Sequence, residues 1–501
     1  MNAKRIVVIG AGMGGLAAAV DLARQGVDVQ VLERANAPGG KMREVPLGNV
    51  TIDAGPTVFT MRWVFDSLFS DAGSSVAALL DLQPCSVLAR HAWTGGGALD
   101  LFADIEQSVA AIGDFAGQKD AQGSRDFCAR SREIYETLRV PYIASQRPSP
   151  LALMRRVGIG QLGAMWRTAP HRTLWGALGD YFQDPRLRQL FGRYATYVGS
   201  SPLAAPATLS LIAHVEQEGV WIVRGGMRRV ADALRTLGER HGARYRFNAQ
   251  VEEILVESGR VAAVQLAGGE RIDCDAVVFN GDASALGSGL LGASVTGAAP
   301  VVAASKRSLS AVTWCMRAKT SGLNLHHHNV FFSDDYPAEF NAVFGRRSIV
   351  DSPTVYVCAQ DRAENGATDV PANERLLLLV NAPADGDQRA FSESDIATLR
   401  DHAFGVLRRC GLAIEPSSEP AVVTTPADFN ELFPSTGGAL YGRANHGPMA
   451  SFARPGAACS VPGLFLAGGS VPPGPGVPMA VLSGRLAAAA VIASRGQHAE
   501  R

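Results

Sequence analysis

Residues 6–33 read IVVI-GAGMGG-LAAAVDLARQ-G-VDVQVL-E, and this stretch decides the fold. Ile6-Val7-Val8-Ile9 is a short, β-branched apolar run, the pattern of a parallel strand buried on both faces. Gly10-Ala11-Gly12-Met13-Gly14-Gly15 follows at once. Leu16 to Gln25 is rich in Ala and Leu and reads as a helix, closed by Gly26. Val27 to Leu32 is a second strand, ending at Glu33. Strand, G-x-G-x-x-G, helix, strand and acid together make a dinucleotide-binding βαβ unit. Gly10 makes the tight turn, Gly12 admits a pyrophosphate to the backbone, and Gly15 packs the helix on the sheet. The helix N-terminus supplies N–H donors and a positive dipole end to the phosphates. A carboxylate at Glu33 suits ribose hydroxyls and disfavours the 2′-phosphate of NADP.

Two more glycine turns follow, Gly39-Gly40-Lys41 and Asp53-Ala54-Gly55-Pro56-Thr57. A long cofactor crossing the domain needs such close backbone approaches. Near the other end, Leu464-Phe465-Leu466-Ala467 reads as another buried strand. The Pro- and Gly-rich loop Val471 to Pro478 is neither helix nor central strand, and Met479 to Ser494 is an Ala- and Leu-rich helix. A positive helix end at a flavin C2 carbonyl would stabilise negative charge on the reduced ring. The chain thus begins and ends in one domain, with the middle inserted. Ala207 to Glu216 and Met227 to Arg240 read as helices, and Val251–Leu255, Val261–Leu266 and Ala276–Asn280 as strands.

With 501 residues, a prior of ~150 per domain gives about three units. A hydrophobic share of 47% against 19% charged residues suits a large core and excludes a disordered chain or a rod. Lys plus Arg equals Asp plus Glu at 47 each, which argues against a globally basic nucleic-acid binder. The seven cysteines form no C-x-x-C, so zinc-ribbon and thioredoxin readings fall away, and reduced cytosolic thiols are expected. Ile6–Ile9 is too short for a signal peptide. No run of ~18 apolar residues free of charge is present, so no transmembrane helix is expected. Residues 139–179 lack Asp and Glu. They interleave Arg139, Arg147, Arg155, Arg156, Arg167 and Arg172 with Leu151, Leu153, Met154, Leu162, Met165, Trp166, Leu174 and Trp175. That pattern suits an anionic membrane interface. His326-His327-His328 reads as a surface loop rather than a metal site, because neighbouring strand residues alternate faces and no acid stands at ligand spacing. No G-x-S-x-G or Walker lysine supports a hydrolase or NTPase.

Several motifs together resemble the bacterial phytoene-desaturase-type carotenoid desaturases, FAD enzymes of the amine-oxidase-like superfamily. They are GAGMGGLAAAV, PGGK, DAGPT, RYATYVGSSP, GVWIVRGGM, FNGDA and LAGGSVPPGPGVPM. They run in family order along nearly the whole chain. Three stretches resemble the hydroxyneurosporene (1-hydroxycarotenoid 3,4-) desaturases best. These are His91-Ala92-Trp93 with Leu99-Asp100-Leu101, Phe433-Pro434 through Leu440-Tyr441-Gly442-Arg443, and the G-G-S form of the last motif.

The resemblance implies an α/β fold. It comprises a Rossmann-type FAD-binding domain, an interleaved mixed-sheet substrate domain and a helical, membrane-associating region. Pattern places the cofactor domain at 1–100, 220–290 and 440–501, with 101–219 and 291–439 as helical and substrate parts. For FAD, it implies Gly10, Gly12, Gly14 and Gly15 at the pyrophosphate, Glu33 at the ribose, and Gly40 and Lys41 near the phosphates. Gly55, Pro56 and Thr57 fall on the flavin side, and Val251 at the adenine. Gly468, Gly469, Val477, Pro478 and Met479 bracket the ribitol and flavin, where Gly469 and Ser470 replace the acid of many flavoproteins.

The implied reaction is 3,4-desaturation of an acyclic 1-hydroxycarotenoid. An allylic carbon gives hydride to flavin N5 and its neighbour loses a proton. A side-chain base is dispensable; Glu216 is the first candidate, then His214 and Tyr441, with a structural role on the helix favoured for His214 and Glu216. Oxygen or a quinone would reoxidise the flavin. The enzyme would sit peripherally on the cytoplasmic side of the membrane through 139–179. Alternatives are a phytoene desaturase or carotenoid isomerase, a flavin-free lipid carrier like the Rab GDP-dissociation inhibitors, and an amine oxidase, for which no aromatic cage is evident.

Overall fold

The computed structural model describes residues 5–145, 168–362 and 370–499. The opening βαβ unit forms as read: β1 is Arg5–Ile9, α1 is Met13–Ala23 and β2 is Asp28–Leu32. These join a five-stranded parallel sheet in the order Leu464–Leu466, Ala276–Phe279, β1, β2, Arg244–Arg246. First and last segments of the chain therefore share one sheet. Alternate residues of β1 go to different cores. Ile6 and Val8 pack with α1, the helix Arg228–Arg240 and the C-terminal helix, whereas Val7 and Ile9 pack with the strands Val251–Glu257 and Arg260–Leu266. Burial on both faces explains why β1 is apolar throughout rather than alternating.

The C-terminal helix, Val477–Ala499, starts at the end of the Pro/Gly loop and packs along α1 and the helix Arg62–Asp71. It is long and apolar enough to cross a membrane by composition, which the charge-free criterion did not anticipate. Arg485 in its middle is bonded to Asp21 of α1 at 2.9 Å and to Asp71. Those pairings and its burial against α1 mark it as a core helix.

An eight-stranded mixed sheet forms the second body, ordered Leu412–Pro416, Ser310–Gly322, Glu374–Ala382, Val355–Ala359, His328–Phe332, Val87–Trp93, Ala98–Phe102, with Val422–Thr424 paired beside Ser310–Gly322. One face of it carries Thr313, Leu379, Tyr356, Val330 and His91 in a single row across five strands. Val87–Trp93 and Ala98–Phe102 belong to this sheet, so the expected cofactor segment 1–100 overruns it. We place that boundary before Val87, because the pairing of His91 with Val330 ties these strands to the substrate side.

Much of the basic stretch expected at the membrane, 146–167, lies outside the described residues. Its described flanks are engaged within the protein in part, while Val140 is 75% exposed. Leu174 is buried, Trp175 is packed beneath Arg188, Arg139 stacks on Trp63, and Arg172 is bonded to Asp180. Leu174 is thus part of the core, and Trp175, half-buried, packs against it.

Candidate active site

A cavity of about 1220 Å³ runs from the glycine turns of the parallel sheet to the face of the mixed sheet. Drug-sized sites span roughly 300–1,000 Å³, so the space suits a large cofactor with a second ligand beyond it. Gly10, Gly12, Gly14, Glu33, Gly40, Lys41, Gly55, Pro56 and Thr57 line it from the N-terminal segment. Val251, Gly468, Gly469, Val477, Pro478 and Met479 line it from later ones, as do Glu216 and Tyr441. Gly15 and His214 do not. A Cβ on Gly15 would lie 2.1 Å from the Gly10 carbonyl oxygen, so this glycine seats α1 on β1 from behind the cradle. His214 packs on Tyr135 and stands 3.7 Å from Glu218, away from the cavity lining.

The cradle fits a pyrophosphate. Gly12 caps α1 with no side-chain bond to the first-turn amides, leaving them to a ligand. Asn280, at the end of the strand Ala276–Phe279, is the hub that the sequence reading passed over. Its Nδ2 donates to the Ala467 carbonyl at 3.1 Å, while its buried Oδ1 has no partner. Cβ atoms on Gly12, Gly14 and Gly468 would each come within 2.7 Å of the Asn280 amide. Glycine is thus required on three sides, and the F-N-G-D motif was the available signal. Glu33 is buried, its Oε2 accepting from Ala11 N at 2.6 Å and its Oε1 from Ala35 N at 2.8 Å. Each oxygen keeps a lone pair for a ribose hydroxyl.

Further along, the Lys41 ammonium donates to the Leu440 carbonyl at 2.5 Å and lies over the Phe433 ring. Burial lowers its pKa, partly opposed by Asp282. Arg454, also unforeseen, is buried and donates to the carbonyls of Arg443 at 2.7 Å, Gly469 at 3.0 Å and Tyr441 at 3.3 Å. It clamps the Leu440–Arg443 segment to the Gly468-Gly469 turn. Burial pushes the Tyr441 hydroxyl up to about 12, which keeps it neutral.

Thr57, in the loop after the strand Val50–Asp53, meets the mixed sheet, its Oγ1 lying 2.7 Å from the Tyr356 hydroxyl. Beside Tyr356, His327, His328 and Cys358 bring donor atoms within 4.8 Å of one another. The surface-loop expectation fails here: the strand begins at His328, and the bend at His327 brings its half-buried ring to 4.7 Å from the buried His328 ring at right angles. His327 Nδ1 is held by the Arg362 carbonyl and His328 Nδ1 by Tyr356. Burial raises the Cys358 thiol well above its ordinary range, so it stands neutral in this cluster.

At the His91 end of the mixed-sheet row lies a buried ionic cluster. Arg193 Nη2 donates to both Glu216 oxygens at 3.2 Å, and its Nε donates to His91 Nε2 at 3.1 Å. Tyr197 donates to Glu216 Oε1 at 2.8 Å, and Tyr194 donates to Oε2. Burial opposes the charge on Arg193, but the Glu216 carboxylate and the two tyrosines outweigh it and raise its pKa. His91, buried beside that guanidinium, has its pKa driven well below the ordinary value. With Nε2 accepting, its Nδ1 is the protonated nitrogen, facing the Leu99 carbonyl. The spacing Arg193-Tyr194-x-x-Tyr197 was the signal for this cluster.

The flavin-containing amine oxidoreductase family matches residues 13–492. The chain belongs to that family. FAD is accordingly its cofactor. The chain is 51% identical over 98% of its length, and 94% of the relative's, to the hydroxyneurosporene desaturase of Rubrivivax gelatinosus. It is 44% identical over 98% of its length, and 97% of the relative's, to the protein of the same name from Cereibacter sphaeroides. A 1-hydroxycarotenoid 3,4-desaturase from a Flavobacterium species is 29% identical over 97% of this chain and 98% of that one. Among solved structures, wild-type putrescine oxidase bound to putrescine superposes with a TM-score of 0.61 at 15% identity, covering 98% of this chain and 99% of that one. That likeness concerns the fold alone.

Proposed function

We propose that this chain is an FAD-dependent desaturase of acyclic 1-hydroxycarotenoids, forming the 3,4 double bond. The observation that carries the reading is the near-full-length likeness to hydroxyneurosporene desaturases in a chain whose cavity continues past the cofactor cradle along an apolar sheet face. When bound, FAD supplies the two-electron acceptor for a hydride. The protein's own part is alignment and dryness. Leu379, Leu377, Val330 and Ala311 give the polyene an apolar wall, and the Thr57–Tyr356 bond fixes that wall against the cofactor segment. A hydride donor held in one geometry gains up to about 7–11 kcal/mol of the barrier lowering such a reaction requires.

Glu216 is a poor base here, because both its oxygens are engaged by Arg193 and two tyrosines. Tyr441 is held neutral as a phenol. We assign Glu216 a positioning role: it holds Arg193 and Tyr197 in the cavity wall. The proton lost from a carbon next to an extended cation needs no strong acceptor. Oxygen or a quinone is the proposed final acceptor.

We further propose peripheral attachment to the cytoplasmic face of the membrane. Met449, which lines the cavity, is 54% exposed, as a lipid-facing mouth requires. The test is a product assay with holoprotein, acceptor and 1-hydroxyneurosporene or phytoene in liposomes. A red-shifted product from the hydroxylated carotenoid is expected, with a lower rate when liposomes are replaced by detergent. Conversion of phytoene alone would favour a phytoene desaturase, and equal rates in both media would remove the membrane claim.

A further inference from the structure

We infer that Thr313, with Asn381 beside it, forms the subsite that recognises the substrate's tertiary alcohol. This rests on the proposed reaction. Thr313 is almost fully buried on a central strand of the mixed sheet and lines the cavity, yet its Oγ1 has no hydrogen-bond partner. A buried hydroxyl left unpaired costs about 1–3 kcal/mol, so native folds seldom keep one without a use. Its same-face neighbours Ala311 and Leu379 are apolar, and Thr424, paired with it on the other side, accepts from Arg43 at 2.8 Å and leaves the Thr313 hydroxyl without a partner.

Asn381 stands in the adjacent row of the same face, paired with Ala311. Its Nδ2 donates to Glu339 Oε1 at 2.7 Å, and Glu339 Oε2 accepts from Thr354 N at 3.0 Å. Glu339 is buried and thus fixes the orientation of the amide from behind the cavity wall. This leaves the amide oxygen of Asn381 as an acceptor for the cavity that the residue lines. A neutral hydroxyl, which both donates and accepts, matches a threonine hydroxyl and an amide oxygen. A cation or an anion does not.

The position also fits. Thr313 and Tyr356 belong to one row, separated by Leu379. With strands about 4.8 Å apart, Thr313 lies roughly 10 Å from the Tyr356 position that Thr57 ties to the cofactor segment. The alcohol carbon of a 1-hydroxycarotenoid is two carbons from the 3,4 bond. Anchoring the oxygen here would hold the hydroxylated end of the substrate, and with it the 3,4 bond, on the row that leads to the cofactor segment. The Arg193–Glu216 cluster, another polar patch of the cavity, is a weaker candidate because its groups already satisfy one another.

The test compares kcat/KM for 1-hydroxyneurosporene and neurosporene in the wild-type holoenzyme, Thr313→Val and Thr313→Ser. In Thr313→Val the preference for the hydroxylated substrate is expected to fall by about tenfold or more, through KM, since one hydrogen bond to the ligand is lost. Thr313→Ser keeps the hydroxyl and is expected to retain most of the preference. The valine variant removes an unpaired polar atom, so its thermal stability should not fall. A wild-type preference that persists in Thr313→Val overturns the subsite while leaving the desaturase reading intact. A wild-type enzyme inert towards both carotenoids overturns both.

Discussion

Gly484→Ala is expected to loosen FAD and destabilise the protein, and Gly484→Val to yield a colourless or insoluble chain. Gly484 sits where the C-terminal helix crosses α1. A Cβ there would lie 2.0 Å from the Gly14 carbonyl oxygen and 3.0 Å from Ala18 N. Both are backbone atoms, so no rotamer relieves the contact and the helices must separate. Overpacking typically costs about 1–3 kcal/mol, which exceeds the ~1 kcal/mol that alanine gains over glycine in a helix. The larger effect is functional, because Gly14 is itself in the cradle and α1 carries the first-turn amides. Ala489, exposed on the same helix, is the control position. Flavin absorbance per protein after gel filtration should drop in Gly484→Ala and hold in Ala489→Val. Full flavin content in Gly484→Val would show that the helix crossing does not position the cradle.

Glu216→Gln is expected to be severely destabilising rather than selectively inactive. Arg193 and Glu216 are both 4% exposed at their side chains. Removing one partner of a buried ion pair costs about 3–5 kcal/mol, since the other charge is left uncompensated. The new amide would also turn N–H donors toward the Arg193, Tyr194 and Tyr197 donors. Arg193→Met combined with Glu216→Leu should recover part of the loss, because no buried charge remains, but not all of it. His91, Tyr194 and Tyr197 would still lack partners. Thermal unfolding of the holoprotein reads this directly, and turnover per bound flavin separates stability from chemistry. A Glu216→Gln protein as stable as wild type but without turnover would make Glu216 the base that its hydrogen bonds argue against.

These two sites show what is legible in the sequence. The βαβ unit and the C-terminal strand, loop and helix rest on local signals: an apolar strand, a glycine run, a helix period and a proline stop. The crossing of α1 by the last helix brings Gly14 against Gly484, and no local pattern announces that contact. The mixed sheet is similarly hidden, since pairing His91 with Val330 or Thr313 with Leu379 depends on register between distant segments. Thr313 is one threonine in a strand until its neighbours are known. Glu216 and Arg193 carry opposite charges 23 residues apart, and only folding shows that they neutralise each other. His327 and His328 fail by a single residue: alternation holds inside a strand, and the strand begins one position later than the rule assumed.

Anaerobic titration of the purified yellow protein with 1-hydroxyneurosporene tests most directly whether the cavity joins an FAD cradle to a carotenoid site. One equivalent of carotenoid should bleach the oxidised flavin band and appear as product with one more conjugated double bond, and admitting an acceptor should restore the band. Flavin that stays oxidised under excess 1-hydroxyneurosporene, or that is bleached by phytoene instead, would contradict the assignment.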